Sequence, residues 1–181
     1  MSSFRFSPVK DKSRLLEALE YIHIESHKIC QKNLGYLLPV AGNIGFFCHY
    51  DDEFEVLTAL RKELTDLSDN WNQKYYRLFD PIVFPATGNI PETIYTYLYI
   101  RKPDPNHPKV GDVDFYMEPH KYKELKQSLF SGKIIQGVSI FERPDLDLIR
   151  LSDPDIDVSA FIGQKTIIED VAEQKYQRHN S

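Results

Sequence analysis

The stretch Gly111-Asp112-Val113-Asp114-Phe115-Tyr116-Met117 alternates so regularly that it constrains the fold more than any other part of the chain. On an extended backbone Asp112, Asp114 and Tyr116 point one way, and Val113, Phe115 and Met117 the other. The apolar side needs a core to cover it. The segment therefore predicts a strand of a half-buried sheet with two carboxylates and a phenol on its opposite face.

Further strands are expected over residues 43–50, 75–84, 93–101, 134–141 and 146–151, which are rich in β-branched and aromatic side chains and bounded by Gly, Pro or Asp. Helical spacing marks the rest. One amphipathic helix starts near Ser13 and stops at Gly35, with Leu15, Leu16, Leu19, Ile22 and Ile29 on one stripe. A second begins in a capping-box-like pattern, Asp52 followed by Glu55, and carries Val56, Leu57, Leu60 and Leu64. A third runs from Pro119 through Tyr122, Leu125 and Leu129 to Gly132. From Gln164 onward, Ile167, Ile168 and Val171 predict a short helix within a frayed tail spanning residues 163–181. The polar segment 66–74, with Trp71 inside it, reads as a loop.

No internal repeat, low-complexity tract or linker is visible, and 181 residues suit one domain over 1–181. The fold class expected is α+β: a mainly antiparallel five- to six-stranded sheet with helices packed on one face. A hydrophobic share of 41% and 13% aromatics exclude a disordered chain. The net charge of −5 disfavours nucleic acid as a partner. With no apolar run near the roughly 20 residues of a membrane span and no signal-like start, a cytoplasmic protein is expected. Cys30 and Cys48 read as reduced, buried thiols.

The function-bearing surface follows from period-two reasoning. On 93–101, Tyr95, Tyr97, Tyr99 and Arg101 share one face and Ile94, Thr96, Leu98 and Ile100 the other. If the proline-rich segment 102–108 closes a hairpin, Arg101 lies opposite Asp112, Tyr99 opposite Asp114 and Tyr97 opposite Tyr116. Asp112 and Asp114 could then hold Mg²⁺ or Mn²⁺, both oxygen-seeking ions, while Arg101 clamps a phosphate-bearing or otherwise anionic small molecule among Tyr97, Tyr99, Tyr116 and Trp71. The competing reading of Asp112 is a solvated ion pair with Arg101. The tyrosine stripe would equally serve a non-catalytic interaction domain, docking a protein partner or a second copy as a homodimer.

A second metal candidate is His23, His27 and Cys30, spaced i, i+4 and i+7 on the first helix; the alternative is a core stripe with two histidines at its edge. GxGxxG, GxxxxGK[ST], GxSxG and HExxH are all missing, which disfavours the nucleotide, hydrolase and metalloprotease classes that depend on them. Substrate and reaction are not written in these residues.

Overall fold

Asp11 opens the first helix, α1 (Lys12–Leu34): its carboxylate accepts from the Arg14 backbone N–H at 2.9 Å. Gly35 closes the far end in the left-handed region at φ 83°, a conformation that favours glycine. The start lies just upstream of Ser13 because Asp11 supplies the cap. The computed structural model describes residues 4–68, 74–144 and 146–180.

After α1 come β1 (Val40–Phe47), α2 (Asp51–Leu64), β2 (Thr65–Ser68), β3 (Tyr76–Phe84), β4 (Thr93–Arg101), β5 (Gly111–Tyr116), α3 (Pro119–Phe130), β6 (Val138–Arg143), β7 (Leu146–Leu151), β8 (Ser159–Gly163) and α4 (Ile167–His179). The strands form one sheet in the order β2-β3-β4-β1-β5-β8-β7-β6. The fold is α+β, with four helices among the described residues and an eight-stranded mixed sheet. Two strands, β2 and β8, exceed the five or six expected; β2 is four polar-flanked residues and β8 follows acidic turns, so neither has a strong period-two signature. The sheet is mixed because β1 pairs with β4, and β5 with β8, in parallel.

These pairings divide the sheet into two equivalent halves. Each half is a strand, a helix and three strands: β1-α2-β2-β3-β4, then β5-α3-β6-β7-β8. In each, the first strand lies parallel to the last, and two antiparallel steps lead outward to the edge. The halves meet where β1 runs antiparallel to β5, with Ile44 opposite Val113. A repeat invisible in the sequence is therefore present in the topology. The positions matched at the centre keep only apolarity, Ile44 beside Leu98 in one half and Val113 beside Ala160 in the other.

The central pairing overturns the expected hairpin. Segment 102–108 carries the chain across β1, so β4 and β5 flank β1 and never touch as neighbours. Arg101 is opposite Phe47, not Asp112.

Ile44, Phe46, Leu98, Ile100, Val113, Phe115, Ala160 and Ile162 all enter one core cluster, together with Leu15, Leu19, Ile22 and Ile29 of α1, Leu57 of α2 and Tyr122 of α3. The opposite face carries a separate small cluster, in which Ile167 and Val171 of α4 cover Tyr97 with Tyr75 alongside. Helices thus occupy both faces, three on one and α4 on the other, instead of a single face. Thr166 fixes where α4 begins: it forms a reciprocal capping box with Glu169. Tyr95 also departs from strict alternation. It faces α1 and bonds His23, and the β3–β4 register slips beside it, between Arg77 and Ile82. No helix of the described residues is long and apolar enough to cross a membrane.

Candidate functional site beneath α4

Three strands build the site. Gly45 of β1 has Tyr99 of β4 on one side and Asp112 of β5 on the other. Two residues back, Asn43 is opposite Tyr97 and donates from Nδ2 to Asp114 Oδ2 at 2.9 Å. Tyr97, Tyr99, Arg101, Asp112, Asp114 and Tyr116 therefore lie on one face, with β1 between Tyr97, Tyr99 and Arg101 of β4 and Asp112, Asp114 and Tyr116 of β5. Asp112 reaches across that strand because Gly45 has no side chain: a Cβ there would collide with Asp112 Oδ1 and sit 3.3 Å from the Tyr99 ring. Gly42, at φ 114°, performs the same service for the helix above, since a Cβ would come within 2.9 Å of Ile167.

Beneath α4 a cleft of about 260 Å³ remains, bordered by Asn43, Tyr75, Asp114, Lys165, Asp170 and Gln174. Gln174 donates to Asp170 Oδ2 at 3.1 Å. Three buried oxygens around this region have no hydrogen-bond partner among the described residues: Asn43 Oδ1, Asp112 Oδ1 and Gln174 Oε1. Unsatisfied acceptors of this kind are costly unless something supplies a proton or a donor.

The carboxyls respond as buried neighbours must. Both Asp112 and Asp114 are held above the ordinary carboxylate range, by burial first; the Asp114 charge raises Asp112 further, while the Asn43 bond holds Asp114 down. Because each charge disfavours the other, the two carboxyls lose their protons in linked steps, both displaced upward by burial. Asp170 is also raised, by burial. Burial and the Asp112 charge push Tyr99 up to about 12; Tyr75 rises well above its usual value through burial and the charges of Asp114, Asp112 and Asp170.

Arg101 does not clamp this pair. Its guanidinium carbon stacks 3.5 Å from the Phe47 ring centroid, Nη2 donates to the His107 carbonyl at 3.4 Å, and Nε has no partner among the described residues. Its charge still lowers the Asp112 pKa from a distance. Tyr116, opposite Gly163, lies outside the cleft wall, in a shallower depression with Pro119 and Glu169. Tyr97 is only 5% exposed, so with α4 docked it is closed to a second copy of the chain. Trp71 lies outside the described residues.

His23, His27 and Cys30 belong to the core between α1 and the sheet. His23 Nδ1 bonds the Tyr95 hydroxyl at 2.9 Å; His27 donates from Nδ1 to the His23 carbonyl at 2.8 Å, which fixes its tautomer; and the Cys30 thiol donates to the Tyr36 carbonyl at 3.6 Å. Among the described residues no group of three or more His, Cys, Asp or Glu side chains is arranged to hold a metal. A cation on Asp112 and Asp114 would depend on the Asn43 oxygen, a ligand and water for the rest of its shell.

Asn43, Gly45, Asp170 and Gln174 escaped the sequence reading. Two glycines bracketing a polar residue inside an apolar strand, Gly42-Asn43-Ile44-Gly45, were the available signal for close approach. Nothing local reveals that Asp170 and Gln174 return over β1 and β5.

No protein-family model and no curated protein matches the chain. Among solved structures, it is similar to one described as Structural Genomics, Protein EC4020, at a TM-score of 0.61 and 14% identity over 96% of this chain and 98% of that one. That likeness is one of fold. A complex of a Streptomyces coelicolor methylmalonyl-CoA epimerase variant with 2-nitronate-propionyl-CoA aligns with a TM-score of 0.32 and 15% identity over 70% of this chain and 98% of that one.

Proposed function

We propose that the chain binds a small molecule in the cleft between α4 and the face of β1, β4 and β5, and that the Asp112–Asp114 pair moves a proton to or from it. One observation carries the reading: two carboxyls two residues apart on one strand are buried together, Asp114 at the cleft wall held by Asn43 and Asp112 with an oxygen that has no partner among the described residues. Enclosure keeps one carboxyl protonated as an acid while its neighbour is ionised as a base, the division of labour that general acid–base chemistry requires. The unpartnered oxygens of Asn43 and Gln174 accept hydrogen bonds from the ligand and fix its orientation.

Asp114 and Asp170 in its wall make the inner cleft a poor host for negative charge. An anionic or phosphate-bearing ligand therefore enters with its neutral, proton-bearing end inward and its anion outward. The same acidity is unfavourable to Mg²⁺ or Mn²⁺ only while the pair is protonated, so a cation competes with the proton.

The test is a carboxyl ¹³C NMR titration with Asp112→Asn and Asp114→Asn as controls. Asp112 and Asp114 should titrate in two linked steps above the ordinary range, and each substitution should collapse the linkage. Independent titration of both near pH 4 would sink the proposal. Addition of millimolar MgCl₂ at pH 7 should leave the two signals in place; their displacement would make the pair a cation site instead.

A further inference from the structure

Arg150 and Arg143 converge on one aromatic ring. Their guanidinium carbons lie 4.6 and 4.9 Å from the Phe141 centroid; Phe141 tilts against Phe161 at 5.3 Å, and Arg150 also reaches Phe161 at 5.9 Å. The register puts this group on the face of the acid pair, since Asp114 is opposite Phe161 and Phe161 opposite Arg150. Two strand spacings, about 10 Å, separate Asp114 from Arg150. Leu148, opposite Phe141, lines the cleft and so joins the two regions.

Among the described residues no acid neutralises the charge of these arginines. Neighbouring acids in the same strands, Glu142 and Asp147, are held by Lys126 of α3 at 2.5 and 2.8 Å, although Asp147 also borders the cleft. Among the described residues neither Arg143 nor Arg150 forms an ion pair. Two like charges over one ring repel, and a guanidinium stacked on an aromatic face leaves its in-plane N–H donors pointing outward. An oxyanion between them would relieve the repulsion and accept those donors in the forked geometry that guanidinium favours.

We infer that Arg150 and Arg143 form an oxyanion subsite for a small organic acid with a flat apolar body. The carboxylate or phosphate bonds the arginines, the body lies along Phe141 and Phe161, and the far end reaches Asp114. The reach to Asp114 rests on the proposed proton-transfer role; the anion contact does not.

¹⁵N-labelled protein should be titrated with benzoate, phenyl phosphate and inorganic phosphate while the Arg150 Nε–H signal is followed. Both aromatic anions should bind saturably with ring-current shifts, and the tighter of the two identifies the headgroup. Inorganic phosphate, lacking the stacked body, should bind about tenfold more weakly or worse. Arg150→Gln should weaken benzoate about tenfold or more, whereas Lys126→Gln, on α3, should change nothing. No saturable binding of either aromatic anion up to about 20 mM, or equal benzoate affinity in Arg150→Gln, would overturn the inference. Inorganic phosphate binding as tightly as the aromatic anions would overturn the part assigned to the rings. The carboxyl titration of Asp112 and Asp114 reports separately, so either reading can fail while the other stands.

Discussion

The Asp112 carboxylate occupies the space above Gly45 where any other residue would carry its β-carbon. That single vacancy lets an acid on β5 approach Tyr99 on β4 across an intervening strand. It ties the electrostatics of the site to the backbone of β1.

Gly45→Ala should accordingly destabilise the fold by about 1–3 kcal/mol, the usual cost of overpacking. In combination with Asp112→Ala most of that cost should vanish, because the colliding carboxylate is gone. Urea unfolding of the two single variants and the double variant measures the coupling. Additive losses would show that Gly45 serves something other than Asp112.

The face membership of Asp112, Asp114, Tyr97, Tyr99 and Arg101 was legible because alternation is a property of each strand alone. Their neighbours were not. Whether β4 pairs with β5 or with β1 depends on contacts far apart in sequence, and the apolar run of β1 fits a central strand without naming its partners. The slip beside Tyr95 arises between strands and leaves no mark in the local pattern. The histidines had the same limitation: i, i+4 spacing is identical for ligands and for a core stripe, and only Tyr95 and Phe84 above them decide for the core.

Those histidines should make the protein acid-sensitive. Burial lowers His23 to about 4 and lowers His27 as well. The unfolded chain takes up their protons near pH 6.5 and the folded chain resists until lower pH, so stability present above pH 6.5 is lost as pH falls toward 4. His23→Gln should flatten this slope, removing on the order of 2 kcal/mol of pH dependence between pH 6.5 and 4, at some cost in stability at neutral pH. Denaturant melts at stepped pH read it; an unchanged slope would place the acid sensitivity elsewhere.

The acid pair acts with the opposite sign. Its folded-state pKa values exceed those of the unfolded chain, so the folded protein holds extra protons between about pH 4 and 8, and stability falls as pH rises through that window. Asp112→Asn cannot ionise and should become more stable than the natural chain above pH 8, by on the order of 2 kcal/mol, with the gain disappearing toward pH 4. In the natural chain this trend and that of His23 partly cancel between pH 4 and 6.5. The two single variants should therefore separate into curves that tilt in opposite directions.

Removing α4 tests whether the site depends on its cover. The helix is held by a small cluster distinct from the main core, Ile167 and Val171 on Tyr97, so a chain ending at Gln164 should stay folded and lose about 3 kcal/mol. Water would then reach Asp112 and Asp114, and the charge of Asp170 would be gone. Both changes lower carboxyl pKa values, and the pair should return toward the ordinary range in the same ¹³C titration. Val171→Ser, which loosens the contact without deleting the helix, should move the pair in the same direction by less. An acid pair that kept its raised values without α4 would mean that β1, β4 and β5 alone desolvate it, and that the helix contributes only to ligand access.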